Sequence, residues 1–158
     1  DSEWAALREA QNKALHLCNT GMAVAIDIGD ANDIHPKNKQ EVGRRLSLLA
    51  LQKTYGKGKV TDIMSYKDYV VENDKVRLIF ESNTKGFQPS DLLTGFTIAG
   101  ADHVFYPAKA QIKGNELLVW SPDVSNPVAV RYGWADNPDC NLYDRTGFPV
   151  APFRTDCW

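Results

Sequence analysis

The chain has 158 residues, of which 43% are hydrophobic and 24% are charged, and its formal net charge at pH 7 is −2. This composition is typical of a globular protein, and the length suits one domain or two small ones. Because nucleic acids and membrane surfaces favour a basic face, the charge argues against both as partners. No apolar run approaches the roughly 18 residues that span a bilayer. The first residues lack the regions of a signal peptide, although a cleaved signal would leave no trace.

Residues 3–18 predict the first helix, because apolar side chains recur there every three or four positions. Ser2 is a plausible N-cap of this helix. Residues 22–28 are almost continuously apolar, which is typical of a strand covered on both faces. A single strand of this kind cannot satisfy its own backbone groups, so we expect its neighbours in a missing part of a longer chain or in another molecule.

Residues 41–55 predict a second helix, with Pro36 in its first turn and Asn38 as a cap that faces Glu41. The face expected to pack consists of Val42, Leu46, Leu49 and Lys53, whereas Arg44, Arg45 and Gln52 are expected to point away from it. Gly56 is expected to stop the helix, and residues 57–59 are typical of a linker.

From residue 60 onward, short β-type runs are separated by turn residues, and no helical pattern lies between them. The predicted strands are residues 69–71, 76–80, 95–98, 103–106, 109–112, 117–120 and 128–132. Their spacing predicts an antiparallel β-sandwich or jelly roll. The tail from residue 136 is expected to pack as an ordered coil, anchored by apolar side chains such as Leu142, Phe148 and Phe153.

Together these patterns predict a mixed α/β part followed by an all-β part. Residues 1–58 are expected to be the carboxyl-terminal piece of a larger α/β domain, and residues 59–158 to form a β domain. Of the three cysteines, Cys18 is expected to be a buried small hydrophobe. A disulfide between Cys140 and Cys157 is left open. No spacing of Cys or His residues resembles a zinc site.

His35 is the strongest candidate for a catalytic side chain. Histidine is suited to moving protons near neutral pH, and a loop between a buried strand and a helix is where α/β folds place catalytic groups. A catalytic imidazole needs a carboxylate that fixes its tautomer, and Asp27, Asp30 and Asp33 lie nearby. The alternatives are that the histidine caps the following helix and that Asp30 and Asp33 only form turns.

The stretch Asp33-Ile34-His35-Pro36-Lys37-Asn38-Lys39-Gln40, with residues 22–30 before it, resembles the histidine block of sialate O-acetylesterases, which are serine esterases of the SGNH superfamily. Residues 4–11, 100–108, 126–134 and 149–156 resemble further segments of that family, so the similarity covers essentially the whole chain. The resemblance implies the terminal helix-strand-helix of a flavodoxin-like SGNH hydrolase domain over residues 1–58. It also implies an accessory antiparallel β-sandwich or jelly-roll domain over residues 59–158.

The resemblance further implies hydrolysis of acetyl esters on sugars, classically sialic acid. A serine would attack the acetyl carbonyl, His35 would take its proton and later activate water, and an oxyanion hole would stabilise the tetrahedral intermediate. No metal or organic cofactor is implied. Because bacterial members of this family are typically exported, the resemblance implies a secreted or periplasmic protein.

Two departures from the superfamily pattern bear on the site. The nucleophile of the superfamily lies in a Gly-Asp-Ser block, and no serine of this chain stands in one. We therefore expect a missing amino-terminal half of the same enzyme to supply the nucleophile, and this chain alone to be inactive. The usual acid stands three residues before the histidine, where this chain has Asn32. Asp30 is our first candidate for orienting His35, because the stretch Asp27-Ile28-Gly29-Asp30 resembles the steadier part of this family's histidine block. Asp33 is the second, because its shorter spacing requires a bent loop.

The alternative function is a non-catalytic carbohydrate-binding or structural β module. Aromatic side chains that could stack on sugar rings are Tyr132, Trp134, Tyr143 and Trp158, with core packing as their other role. Arg131 and Arg154 could bind a sugar carboxylate or form structural salt bridges.

Overall fold

Two helices precede a set of antiparallel strands in the computed structural model, which describes residues 2–58, 64–81 and 86–158. Helix α1 spans Glu3–Lys13 and continues into a short 3-10 turn at Ala14–His16, and helix α2 spans Lys39–Lys53. The strands in the described stretches are β1 (Ser65–Glu72), β2 (Lys75–Glu81), β3 (Phe96–Ala99), β4 (Phe105–Pro107), β5 (Lys109–Lys113), β6 (Glu116–Trp120), β7 (Ala129–Tyr132) and β8 (Phe153–Arg154). The predicted mixture of helices and antiparallel strands is confirmed.

Helix α1 begins where its cap was predicted. The Ser2 hydroxyl accepts a hydrogen bond from the Ala5 amide at 3.0 Å, which satisfies one of the free N–H groups at the helix start. The helix ends earlier than predicted, at Lys13. In the turn that follows, the Thr20 hydroxyl donates to the carbonyl of Leu17 at 2.7 Å. Cys18 lies in this turn and is exposed, so the expectation that it is buried is wrong.

Helix α2 begins at Lys39, with the Asn38 side chain accepting from the Glu41 amide at 3.2 Å. The predicted cap is confirmed, whereas Pro36 lies before the helix and not in its first turn. The predicted orientation of the helix is right for Leu49, which is buried, but wrong for Arg45, which is 3% exposed, and for Leu46, which is 48% exposed. The reason is that the preceding segment presents a carboxylate and a carbonyl to the helix, and these groups bind the guanidinium.

The apolar residues 22–28 do not form the predicted strand. The chain runs without regular structure and then turns, with the Ile28 amide donating to the carbonyl of Ala25 at 3.2 Å. A strand requires a hydrogen-bonded neighbour, and none pairs with this segment within the residues the structure describes. Only Val24 of the segment is fully buried. The helix-strand-helix arrangement therefore remains a hypothesis about a larger domain.

Two four-stranded antiparallel sheets, with strand orders β1-β2-β6-β5 and β4-β3-β7-β8, contribute to one hydrophobic core. On β2 and β6, alternate residues face inward, and their register places Val76 opposite Val119 and Leu78 opposite Leu117. From the other sheet, buried residues such as Ile98 join the same core. Alternation with a period of two is what a strand with one buried face requires.

The tail packs as an ordered coil around the short strand β8. Leu142, Phe148 and Phe153 are buried, which confirms the predicted apolar anchors. The hydroxyl of buried Tyr132 accepts a hydrogen bond from the Leu142 amide at 3.0 Å and ties the tail to β7. Cys140 and Cys157 are both free.

Helix α1 is held against the β region by polar contacts. Arg154 donates through Nε to Glu9 at 2.9 Å, and the Ser2 hydroxyl donates to Asp136 at 2.5 Å. Arg8 donates to the carbonyls of Ala135 and Asp136. The predicted boundary between residues 58 and 59 lies at the edge of residues 59–63, outside the described residues, and stays a prediction.

Candidate active site

His35 lies on an exposed loop between the apolar segment and helix α2. Its side chain is 77% exposed, and the neighbouring Ile34 is 83% exposed. The loop is shaped by short-range hydrogen bonds. Asp30 accepts through Oδ1 from the Asn32 amide at 3.0 Å, and the Asp33 amide donates to the Asp30 carbonyl at 3.4 Å. The structure therefore presents the imidazole to solvent at the tip of a tight turn.

Asp33 is the acid that contacts the histidine ring. Its Oδ1 lies 3.1 Å from His35 Nδ1 and also accepts from the His35 backbone amide at 2.8 Å. An aspartate that accepts from the amide two residues later forms an Asx turn, which supplies the bend that the short spacing requires. Asp30, our first candidate, instead binds the Asn32 amide. The structure thus reverses the order in which we expected these two acids to contact the ring.

This pair has the geometry of a proton acceptor. With Nδ1 protonated, His35 donates to Asp33, and the Nε2 lone pair faces away from the carboxylate. The carboxylate then favours the tautomer that can accept a proton at Nε2. No serine that the structure describes is hydrogen-bonded to His35. Ser82, another serine of the sequence, lies outside the described residues.

Asp27, the third nearby acid, takes part in a different interaction. Arg45 donates to it through Nη1 and Nη2, each at 2.7 Å, and Nη1 also donates to the Val24 carbonyl at 2.5 Å. The Tyr143 hydroxyl lies 3.3 Å from Asp27 Oδ2. Glu41 completes the network by accepting from Arg45 Nε at 2.8 Å. Asp27 therefore anchors the loop and does not orient His35.

The charges of this network hold one another in the ionised state. Hydrogen bonds from Arg44 and then Arg45 lower the pKa of Glu41 to about 2. Hydrogen bonds to Asp27 raise the pKa of Arg45. Burial, followed by the Asp27 charge, raises the pKa of Tyr143, so its hydroxyl remains a donor. Glu41 and Arg45 are thus charged at neutral pH.

An apolar groove of about 750 Å³ lies beside the loop. It is bounded by α1, by residues 20–26 and by the tail, and it reaches the loop at Gly29 and Asp30. Trp4 and Leu7 line it and are 55% and 47% exposed. The sequence pattern had placed these two residues on a packed helix face, but none of the described elements covers that face.

The remaining candidates have structural partners. Arg131 binds Asp156 at 2.8 Å and lies over the Phe105 ring, and Arg154 binds Glu9. Tyr132 is fully buried, and Trp158 stacks on His103 with ring centroids 4.0 Å apart. In the described part of the chain, no cluster of His, Cys, Asp or Glu could hold a metal ion, and no helix is long and apolar enough to cross a membrane.

Sequence reasoning missed Arg45 and Tyr143. A signal for Arg45 existed, because Asp27 stands in an apolar run and a buried carboxylate needs a cation. The spacing of Glu41 and Arg45, four residues apart on a helix, also favours an ion pair. Tyr143 had no such signal, since 116 residues separate it from Asp27.

Comparison with known proteins places the chain beside carbohydrate acetylesterases, a class of hydrolases. Its structure is similar to that of a carbohydrate acetylesterase from Xanthomonas citri, with a TM-score of 0.95 and 48% sequence identity, over 100% of this chain and 37% of that one. The sequence is also 28% identical to the sialate O-acetylesterase of Rattus norvegicus, over 85% of this chain and 28% of the relative. No family model matches the chain.

These similarities confirm the resemblance drawn from the sequence. The chain spans between 28% and 37% of the length of the two relatives. The activity, substrate and partners of the whole protein are therefore a matter of proposal.

Proposed function

We propose that this chain is the carboxyl-terminal, histidine-bearing part of a carbohydrate O-acetylesterase of the sialate type. The observation that carries the proposal is the exposed pair of Asp33 and His35, joined at 3.1 Å. The likeness to an acetylesterase at 48% identity along the whole chain supports it. In this proposal residues 1–58 complete an SGNH hydrolase domain, and residues 59–158 are an accessory β-sandwich.

The proposed reaction proceeds in two steps. A serine from the amino-terminal half attacks the acetyl carbonyl, and His35 takes the hydroxyl proton at Nε2 and returns it to the departing sugar oxygen. A water molecule then loses a proton to His35 and attacks the acetyl-enzyme; the bond to the serine oxygen breaks, the imidazolium returns the proton to that oxygen, and acetate leaves. Asp33 stabilises the imidazolium in both steps.

The partner that this scheme requires is the amino-terminal half of the same enzyme. It would pack on the apolar groove next to α1, where Trp4 and Leu7 are exposed and residues 22–26 pair with no strand among the residues that the structure describes. Burial of this surface would bring a nucleophile to the side of the loop that faces the groove. Because exported bacterial proteins are typical of the family that the chain resembles, we also propose a secreted or periplasmic location.

The proposal is tested by replacing His35 with alanine in the full-length polypeptide. We expect turnover of an O-acetylated sialic acid to fall by at least about 100-fold while substrate binding is retained, because the general base is lost. The isolated chain should hydrolyse 4-nitrophenyl acetate no faster than background. A His35→Ala enzyme with near wild-type turnover would refute the role of His35, and turnover by the isolated chain would show that it contains its own nucleophile.

A non-catalytic sugar-binding module is the second candidate. Its support is weakened by the burial of Tyr132 and by the ring contacts of Trp134 and Trp158 within the protein. Glycan-array binding by the isolated chain, combined with wild-type activity of the His35→Ala enzyme, would favour this candidate.

A further inference from the structure

The loop that carries His35 is anchored by a buried ion pair at its base. Arg45 is 3% exposed, and its two terminal nitrogens each donate to Asp27 at 2.7 Å. Arg45 lies on α2, which starts just after the loop, whereas Asp27 lies just before it. One side chain therefore connects both ends of the segment. The tip has few contacts of its own, since both His35 and Ile34 are exposed.

Tyr143 connects the same anchor to the β region. Its hydroxyl donates to Asp27 Oδ2 at 3.3 Å, and its backbone carbonyl accepts from the Gln88 amide at 2.9 Å. Arg44, the neighbour of Arg45, binds Glu41 but makes no contact with Asp27. The anchor thus depends on Arg45, Asp27 and Tyr143, and not on the general charge of the helix.

We propose that Arg45, acting through Asp27, is a positioning residue that determines where His35 stands relative to the nucleophile, and that Tyr143 is the group through which the β region contributes to this position. This inference rests on the proposed esterase function. None of the three side chains touches the reacting atoms. They act by fixing the base of the loop, and a displacement of about 1 Å at a reacting group can lower a rate by about 100-fold.

The test is a steady-state comparison of Arg45→Gln with Arg44→Gln in the full-length polypeptide, using 4-nitrophenyl acetate and an O-acetylated sialic acid. For Arg45→Gln we expect kcat to fall by about 10- to 100-fold with KM within about threefold, because the histidine is displaced while the sugar site is intact. Arg44→Gln removes a partner of Glu41 but leaves the pair of Arg45 and Asp27 in place, so it should lose clearly less activity than Arg45→Gln. Circular dichroism establishes that each variant is folded at the assay temperature.

Asp27→Asn provides a second criterion. If Arg45 and Asp27 act as one unit, the double variant should lose no more activity than the more affected single variant. A folded Arg45→Gln enzyme with wild-type kcat, equal losses in Arg45→Gln and Arg44→Gln, or additive losses in the double variant would each overturn the inference.

If Arg45→Gln does not fold, Tyr143→Phe tests the positioning role instead, because this substitution removes only a hydroxyl. We expect kcat to fall about three- to tenfold, whereas Tyr55→Phe, at an exposed residue just beyond the carboxyl end of α2, should have no effect. Equal activity in the two tyrosine variants would overturn the inference. His35→Ala serves as the reference: if it retains activity, the proposed function fails, and if it alone is inactive, only the positioning role fails.

Discussion

The sequence was enough to select His35 as a candidate catalytic residue, but it did not decide which acid contacts the ring. The histidine was predicted from its residue type and from the loop around it, and the structure places it in an exposed position suited to proton transfer. The choice between Asp30 and Asp33 depends on the turn geometry, which an Asx turn at Asp33 decides. A difference of three positions in the sequence therefore separates an acid that contacts the ring from one that shapes the turn.

This contact predicts unequal effects of two matched substitutions in the full-length polypeptide. Asp33→Asn should lower kcat by about 10- to 100-fold, since an amide cannot stabilise the imidazolium as a carboxylate does. Asp30→Asn should have a clearly smaller effect, because the Asp30 side chain accepts from the Asn32 amide and, in the described part of the chain, makes no hydrogen bond with His35. Initial-rate measurements across pH would check this. A larger loss in Asp30→Asn would restore Asp30 as the orienting acid.

At the scale of elements, the helix starts were predictable and the helix faces were not. Caps are local, so Ser2 and Asn38 could be recognised from the few residues that follow each of them. The face of α2 depends on what packs against it. Asp27 and the Val24 carbonyl draw Arg45 inward, and a hydrophobic pattern carries no information about such partners.

The Ser2 cap predicts a measurable contribution to stability. Its hydroxyl accepts from the Ala5 amide and donates to Asp136, so it both caps α1 and attaches the helix to the tail. Ser2→Ala should lower the free energy of unfolding by about 1–2 kcal/mol in urea titrations. Ser47→Ala, at an exposed position within α2, is the matched control and should change it by less than about 0.5 kcal/mol. Equal effects of the two substitutions would contradict the capping role.

At the scale of the whole molecule, the β region and the helical region differ in how fully they bury their apolar side chains. The two sheets share a closed core with fully buried side chains such as Leu78, Ile98 and Val130. The helical region instead leaves Trp4, Leu7 and Leu46 about half exposed along a groove. This exposed apolar surface is the one that the proposed amino-terminal half would cover.

The tail contributes side chains to the core of the β region. The hydrogen bond between Tyr132 and the tail allows this contribution to be tested by substitution. Tyr132→Phe would leave the buried Leu142 amide without its acceptor, so we expect the free energy of unfolding to fall by about 1–3 kcal/mol. Tyr106→Phe, at a half-buried position on β4, should change it by less than about 0.5 kcal/mol. Thermal and urea unfolding of both variants would measure the difference. A stability of Tyr132→Phe equal to that of wild type would show that the tail does not depend on this bond.

The sequence by itself determined what depends on neighbouring residues: the caps, the alternating strands, the coil anchored by apolar side chains and the histidine in its acidic loop. Hydrophobic periodicity and turn chemistry act over a few positions, so they can be read in one dimension. Only the tertiary structure decided that Asp33 contacts His35, that Arg45 is buried against Asp27 and that Tyr143 joins them. The Asp33–His35 contact depends on how the loop bends, and the contact of Tyr143 with Asp27 joins residues 116 positions apart, which no local pattern encodes.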